Sequence, residues 1–287
     1  MPANDKLVLV SGATGKQGGA VARELLTHEW KVRAMTRKPT SDAARALATK
    51  GADVVEADLD DEASLRRALA AAWGALAIQN TWEAGVEREE QQGKRFAHVA
   101  KEARVQHLVY HSVASAHRRT GIPHFENKWR VEETVRSLGF PSHVIIRPVF
   151  FMENLLMPDT RQGIVNGTFA FGIHPDTKLQ SIAVRDIGAY GRLTFERAES
   201  LNGREIDIAG DELTGPEMAS ILSDVTGRTV RFQQIPIERI RSYSEDVALM
   251  LEWFDAVGYN ADIAQTSAEF GVPPTRFREW AKAQSWS

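Results

Sequence analysis

Short apolar runs alternate with helical patterns through the first half of the chain. Lys6–Ser11 (KLVLVS) predicts a buried strand, and Gly15–His28 follows with Ala20, Val21, Leu25 and Leu26 at helical spacing. Lys31–Thr36 predicts a second strand and Ser41–Lys50 a helix. Gly51 then suits the position just past that helix, ahead of a third strand at Asp53–Glu56. Asp60 or Asp61 is placed to cap a helix that carries Leu65, Leu69 and Ala72. Ala75–Gln79, Gln106–Ser112 and Ser142–Arg147 continue the strand series, with helices over Val86–Ala103 and Pro123–Leu138 between them. Strands that alternate with helices connect by right-handed crossovers, which produces a parallel sheet covered on both faces. The pattern therefore predicts an α/β fold, a doubly wound (Rossmann) sheet, over residues 1–150.

Beyond Pro148 the alternation decays, and Gly163, Gly167, Gly172 and Pro175 punctuate shorter segments. A strand at Glu205–Ile208, a helix at Thr214–Thr226, a strand at Val230–Gln234 and helices near Glu245–Val257 and Thr275–Ala283 predict a smaller α+β lobe over 151–287. That lobe is expected to cover the open end of the sheet, where ligands sit in such folds, with parts of the two regions interleaving.

Composition narrows the chemistry. The 287 residues contain 0 Cys, which excludes disulfides, thiolate metal sites, iron–sulfur clusters and a cysteine nucleophile. A net charge of −3 lacks the basic footprint of a nucleic-acid or anionic-membrane partner. No apolar run approaches the roughly 18 residues of a bilayer span, and the opening residues lead straight toward a strand without a secretory pattern. The expectation is a soluble, cytoplasmic protein. His107 and His111 stand four apart on a predicted strand without a carboxylate set, so no metal site is expected, and neither a G-x-S-x-G elbow nor a P-loop is present.

Directly after the first strand comes Ser11-Gly12-Ala13-Thr14-Gly15-Lys16-Gln17-Gly18-Gly19, a G-x-x-G-x-x-G variant of the dinucleotide fingerprint. Gly12 permits the tight turn, Gly15 lets the backbone approach a pyrophosphate, and Gly18 lets the helix pack closely on the sheet. The strand-to-helix context supports the assignment. The second strand ends in Met35-Thr36-Arg37-Lys38-Pro39, with no carboxylate to accept ribose hydroxyls. A guanidinium there can fork a 2′-phosphate, which predicts NADP(H) over NAD(H). Asp58-Leu59 is placed to flank the adenine, and Gln79-Asn80-Thr81 lies beside the pyrophosphate and ribose. Lys94 can reach back from its helix, although helix capping and solvent exposure are the plain readings of Asp58 and Lys94.

A dehydrogenase with this loop is expected to carry Tyr-x-x-x-Lys after the fifth strand, with both side chains on one helix face. The four tyrosines, Tyr110, Tyr190, Tyr243 and Tyr259, are followed four residues on by Ala114, Thr194, Val247 and Ile263, so the motif is absent. His124-Phe125-Glu126-Asn127-Lys128 stands in its place. Lys128, His124 and Ser112 are the candidate catalytic residues. His124 can donate a proton near neutral pH, or it can simply start the helix and pack. Trp82, Phe150 and Phe151 are candidate walls of a substrate pocket, together with Trp129, Met152 and Met157. Arg118-Arg119 reads as an exposed loop.

The segments Gly12-Ala13-Thr14-Gly15-x-x-Gly18-Gly19, Thr36-Arg37, Gly51-Ala52-Asp53-Val54-Val55, Asn80-Thr81-Trp82-Glu83, Gln92-Gly93-Lys94, His124-Phe125-x-x-Lys128 and Arg147-Pro148-x-x-Phe151-x-Glu153-Asn154-Leu155-Leu156 resemble, in order and spacing, the NmrA-like family of atypical short-chain dehydrogenases/reductases, in its NADPH-sensor branch. The resemblance implies NADP(H) bound by Gly12–Gly18, Arg37, Asp58, Leu59, Gln79–Thr81, Lys94, Lys128 and Phe151, Met152, Glu153 and Asn154. It implies a sensor of the NADPH/NADP⁺ ratio, acting through a regulatory protein partner. The alternative is an NADPH-dependent reductase of a small quinone, carbonyl or enone substrate that uses Lys128. Monomer and homodimer both remain open.

Overall fold

Helices such as those over Asp42–Thr49 and Glu62–Leu69 in the N-terminal half start where the sequence supplies caps. In the computed structural model, which describes residues 5–286, the Ser41 hydroxyl accepts from the Ala44 N–H and the Asp61 carboxylate accepts from the Ala63 N–H. Gly51, past the end of its helix, takes the φ of +96° expected of that position. The order is β1 (Leu7–Val10), α1 (Lys16–Thr27), β2 (Lys31–Thr36), α2 (Asp42–Thr49), β3 (Asp53–Glu56), α3 (Glu62–Leu69), β4 (Gly74–Ala77), α4 (Thr81–Ala84), α5 (Val86–Glu102), β5 (His107–His111), α6 (Pro123–Ser137) and β6 (Ser142–Pro148). There follow β7 (Phe150–Phe151), α7 (Pro158–Val165), β8 (Thr168–Phe171), β9 (Lys178–Ile182), α8 (Val184–Glu196), β10 (Glu205–Ile208), β11 (Asp211–Thr214), α9 (Gly215–Thr226), β12 (Arg231–Gln234), α10 (Ile237–Arg241), α11 (Glu245–Ala256), α12 (Ile263–Phe270) and α13 (Phe277–Lys282).

A seven-stranded sheet runs in the order β10-β6-β5-β4-β1-β2-β3, with β1 parallel to both β2 and β4. The chain winds one way from β1 to β3 and the other way from β4 onward, as expected of a doubly wound fold. The crevice of such a sheet lies outside the carboxyl ends of β1 and β4, where the winding reverses. The fourth strand ends sooner than its apolar pattern predicts. Ser11 explains this, because its hydroxyl donates to the Ile78 carbonyl (3.1 Å) and accepts from the Ile78 N–H (2.8 Å). Ile78 is thus held by a side chain instead of a ladder, and Gln79–Thr81 turn out over the strand end.

The chain folds into two compact units, the first comprising 1–116, 124–147 and 187–206. Leu9, Met35, Leu65, Phe96, Leu108, Tyr110, Val131 and Ile145 form a core on one face of its sheet. Most of α8 belongs to this unit although it comes from the C-terminal half. Its two glycines explain how it packs on α1. A Cβ on Gly188 would lie 3.0 Å from the Ala20 backbone, and one on Gly191 would lie 2.4 Å from the Val21 side chain.

The second unit comprises 117–123, 148–186 and 207–287. It holds a three-stranded sheet, β11-β9-β7, and a parallel pair, β12-β8, around Phe169, Ile173, Leu222, Leu251, Phe254, Phe277 and Trp280. Arg118 is exposed, as expected of its loop, but it is not left to solvent alone. Its guanidinium donates to the Gly258 carbonyl (3.1 Å) and lies 5.5 Å from the Trp253 ring centroid, so hydrogen bonding and a cation–π contact fix it. Among the described residues, no helix is long and apolar enough to cross a membrane.

Replacing Gly188 with Ala should force α8 away from the Ala20 backbone and cost about 1–3 kcal/mol of stability. Urea unfolding followed by circular dichroism measures this as a lowered midpoint at unchanged slope.

Candidate functional site

The loop between β1 and α1 is built around close backbone approach. Gly12 adopts φ +59°, and its carbonyl accepts from the Gly15 N–H at 2.9 Å. A Cβ on Gly18 would lie 2.4 Å from the Gly12 oxygen and 2.7 Å from the Ser11 oxygen, so glycine alone fits there. The helix start is thereby drawn onto the loop. It has neither a side-chain cap nor an acidic residue in its first turn, which leaves its amide groups to attract an anion. Ala13 is buried, Thr14 half-buried and Lys16 exposed. Thr14 Oγ1 comes within 3.5 Å of Thr36 Oγ1, which joins this loop to the end of β2.

Just past β2, Arg37 and Lys38 are exposed. Arg37 forms an ion pair with Glu83 of α4. Asp58 and Leu59 follow β3 but serve local structure. The Asp58 carboxylate accepts from the Asp60 N–H (2.9 Å), and the Leu59 carbonyl accepts from Arg95 (2.8 Å). Lys94 Nζ lies 2.6 Å from Glu90 one turn back along α5, directed to that carboxylate. Asn80 caps α4 by accepting from the Trp82 N–H.

A buried polar cluster occupies the ends of β4 and β5. Its centre is Glu89 of α5, which is 2% exposed and sits among apolar neighbours on its helix face. One carboxylate oxygen lies 2.7 Å from Lys128 Nζ, and the other accepts from Asn127 Nδ2 (2.8 Å) and from the Thr81 hydroxyl. Asn127 also donates to the Val86 carbonyl (2.8 Å), which fastens α6 to the start of α5. Burial alone raises the carboxyl of Glu89, but the Lys128 charge and these hydrogen bonds outweigh it and hold the group below the usual carboxylate range.

His111, at the end of β5, shares a hydrogen bond with the glycine-loop helix, Nδ1 lying 3.0 Å from Gln17 Oε1. Burial, aided by the Lys128 charge, pushes its imidazole down to about 3, so it is neutral at physiological pH. Several buried atoms of this cluster have no hydrogen-bond partner among the described residues: both amide atoms of Gln79, His111 Nε2, the Ser112 hydroxyl and the Asn127 carbonyl oxygen. A buried polar group left without any partner, protein or water, costs about 1–3 kcal/mol.

His124, near the start of α6, is 6% exposed and packs between the Phe125 ring and Trp82 of α4, whose centroid is 5.2 Å away. Trp82 itself is 64% exposed. Trp129, a candidate pocket wall, instead lies beneath the Arg136 guanidinium at 4.3 Å, beside the buried Arg147–Glu132 pair. Phe150, Phe151, Met152, Glu153 and Asn154 belong to the second unit. There Phe150 packs on Phe171 and Met152 is fully buried. Glu153 accepts from the Val184 N–H and the Trp280 indole, both at 3.0 Å.

The first unit therefore joins Thr81 and Lys128 through Glu89 and ties Gln17 to His111 in a polar cluster, while Asp58, Leu59 and Lys94 make local hydrogen bonds. Glu89, Asn127 and His111 are members of it that the sequence pattern did not single out. Glu89 was detectable there, because it shares a helix face with Gly93 and Phe96 at i+4 and i+7, where a carboxylate needs a partner.

The model of the NmrA-like family matches residues 4–281. The chain belongs to the NmrA-like family. An NmrA-like family domain-containing oxidoreductase of Aspergillus flavus is 35% identical over 260 residues, covering 82% of this chain and 77% of the relative. An NmrA-like family domain-containing protein of Dictyostelium discoideum is 27% identical, covering 88% of each. Among solved structures, an NADPH-dependent quinone oxidoreductase of Escherichia coli, complexed with NADPH, superposes with a TM-score of 0.80 at 26% identity, covering 96% of this chain and 98% of the other. NmrA, a negative transcriptional regulator, shares the fold with a TM-score of 0.77 at 20% identity, covering 98% and 99%.

In this NmrA-like chain, Glu89 contributes stability above its ordinary carboxyl pKa, about 4.3, and that contribution is lost as pH falls through the lowered folded value. Lys128→Met reverses the sign, because burial then raises Glu89 and stability is lost as pH rises. The variant should be less stable by about 3–5 kcal/mol near pH 8 and by much less near pH 5. Thermal unfolding across that range gives the readout.

Proposed function

We propose that this protein binds NADP(H) and acts as a reductase of quinone-like acceptors. The observation that carries the reading is the set of unpartnered buried groups, Gln79, His111 and Ser112, gathered at the strand ends beside Lys128. The residues fit the cofactor. The space a Cβ on Gly18 would fill is taken by loop carbonyls, the open start of α1 suits a pyrophosphate, and Arg37 is exposed to a 2′-phosphate. No carboxylate within Thr36–Pro39 repels that phosphate. When bound, NADPH supplies a hydride.

The missing tyrosine selects the acceptor. A hydride added to a simple ketone leaves an alkoxide as basic as hydroxide, which needs a dedicated acid in the site. His124 is packed beneath Trp82, and Lys128 is engaged by Glu89. A hydride added to a quinone leaves a phenolate, whose conjugate acid has a pKa of about 10, like tyrosine. Water supplies the single proton that completes a hydroquinone. The chain then has to exclude water from the hydride, orient the ring and offset a developing negative oxygen. The Lys128 charge, fixed by Glu89, and the Ser112 hydroxyl suit that last task.

A second reading, a nucleotide sensor acting on a regulatory protein, draws on the same absence of a free acid. NADPH consumption with a panel of quinones and simple aldehydes separates the two. Turnover with quinones and none with aldehydes is expected, and it should drop at least about tenfold in kcat for Lys128→Ala while NADPH still binds. Tight NADPH binding without turnover on any acceptor overturns the reductase reading in favour of the sensor. Arg37→Ala should weaken NADPH about ten- to a hundredfold and leave NADH unchanged, measured by calorimetry.

A further inference from the structure

The Arg37–Glu83 pair places a carboxylate on the guanidinium that the cofactor reading assigns to a 2′-phosphate. We propose that Glu83 is a specificity-determining residue that stands in for the 2′-phosphate on Arg37, and that α4 is released from Arg37 when a 2′-phosphorylated adenosine binds. The proposal rests on the NADP(H) reading above and adds the residue that couples the phosphate to the rest of the site.

Three observations carry it. First, the pair spans two elements: Arg37 follows β2, and Glu83 sits on the four-residue helix α4 between β4 and α5. Both side chains are 55% exposed, so the pair is weak enough to be exchanged. A phosphate monoester carries close to two negative charges and binds the guanidinium fork through two N–H groups, so it outcompetes a single carboxylate on the same nitrogen. Left in place, Glu83 would instead repel it.

Second, α4 is anchored at its start, and its end meets a glycine with room around it. Thr81 is anchored on the buried Glu89, and Asn80 caps the helix. The far end runs into Gly85, which adopts φ +83° with open space around its α-carbon. Glu83 is the side chain that ties this end across to β2. Third, Trp82, next to Glu83, covers His124 beside Lys128. Exchange at Arg37 therefore shifts a ring that lies over the catalytic end of α6. An adenosine without a 2′-phosphate leaves the pair intact, so the device distinguishes the two nucleotide classes by that one group.

The test uses the full chain with adenosine 2′,5′-bisphosphate and adenosine 5′-monophosphate, which differ in that phosphate alone. Glu83→Gln should tighten the bisphosphate about three- to tenfold and leave the monophosphate within about twofold. In the Arg37→Ala background the gain should vanish. The bisphosphate alone should change tryptophan emission, and Trp82→Phe should remove that change. An unaltered or weakened bisphosphate affinity in Glu83→Gln, beside a retained preference in the unmutated protein, overturns the proposal and spares the cofactor reading. Equal binding of both nucleotides by the unmutated protein overturns the cofactor reading and the proposal together.

Discussion

One buried carboxylate organises the first unit's functional end. Glu89 is the point at which α4, α5 and α6 are fastened, through Thr81, its own helix, and Asn127 with Lys128. A carboxylate out of water is tolerable only with its charge met and its lone pairs filled, and these three partners do both. The consequence reaches well beyond stability. Lys128 cannot wander, because its ammonium has one buried counter-charge. Thr81 cannot leave the end of β4, so α4 starts at a set place. The polar surface at the strand ends inherits its geometry from this single junction.

The site combines this rigid pair with a labile one. Glu89–Lys128 is shielded from water, whereas Arg37–Glu83 stands in it. Screening and side-chain entropy make an exposed pair worth about 0–1 kcal/mol, while breaking a buried one costs several. The proposed exchange at Arg37 would therefore rearrange the outer pair without disturbing the inner one. His111 adds to this division of labour. Burial and Lys128 keep it neutral, so it offers Gln17 and the strand end a hydrogen-bonding group without a third charge.

Much of this is legible along the chain, and what is not has physical causes. The turn from β1 into α1 is visible because strand, glycines and helix are contiguous. The doubly wound sheet follows from strands such as KLVLVS, buried on both sides and so uniformly apolar. Helix α8 is hard to see because Gly188 and Gly191 dilute its pattern, yet those glycines are what allow it against α1. The early end of β4 depends on the Ser11 hydroxyl, 67 residues away in sequence, which no local pattern encodes. Trp129 resembles a pocket wall because its neighbours do, but two arginines, brought to it from α6 and β6, claim its face.

The absent tyrosine leads to the same requirement from both functional readings. In a typical Tyr-x-x-x-Lys site the lysine lowers the pKa of a neighbouring donor, so lysine and acid form one device. Here the lysine is retained and its partner is a carboxylate that needs the ammonium for itself. A group so committed cannot also drive a proton onto an alkoxide. It can still present a positive charge, and that charge favours any ligand state that gains negative charge near it, whether a reduced quinone or one oxidation state of the nucleotide over the other. The reductase and the sensor thus differ in what approaches the strand ends, while the electrostatics that Glu89 fixes are common to both.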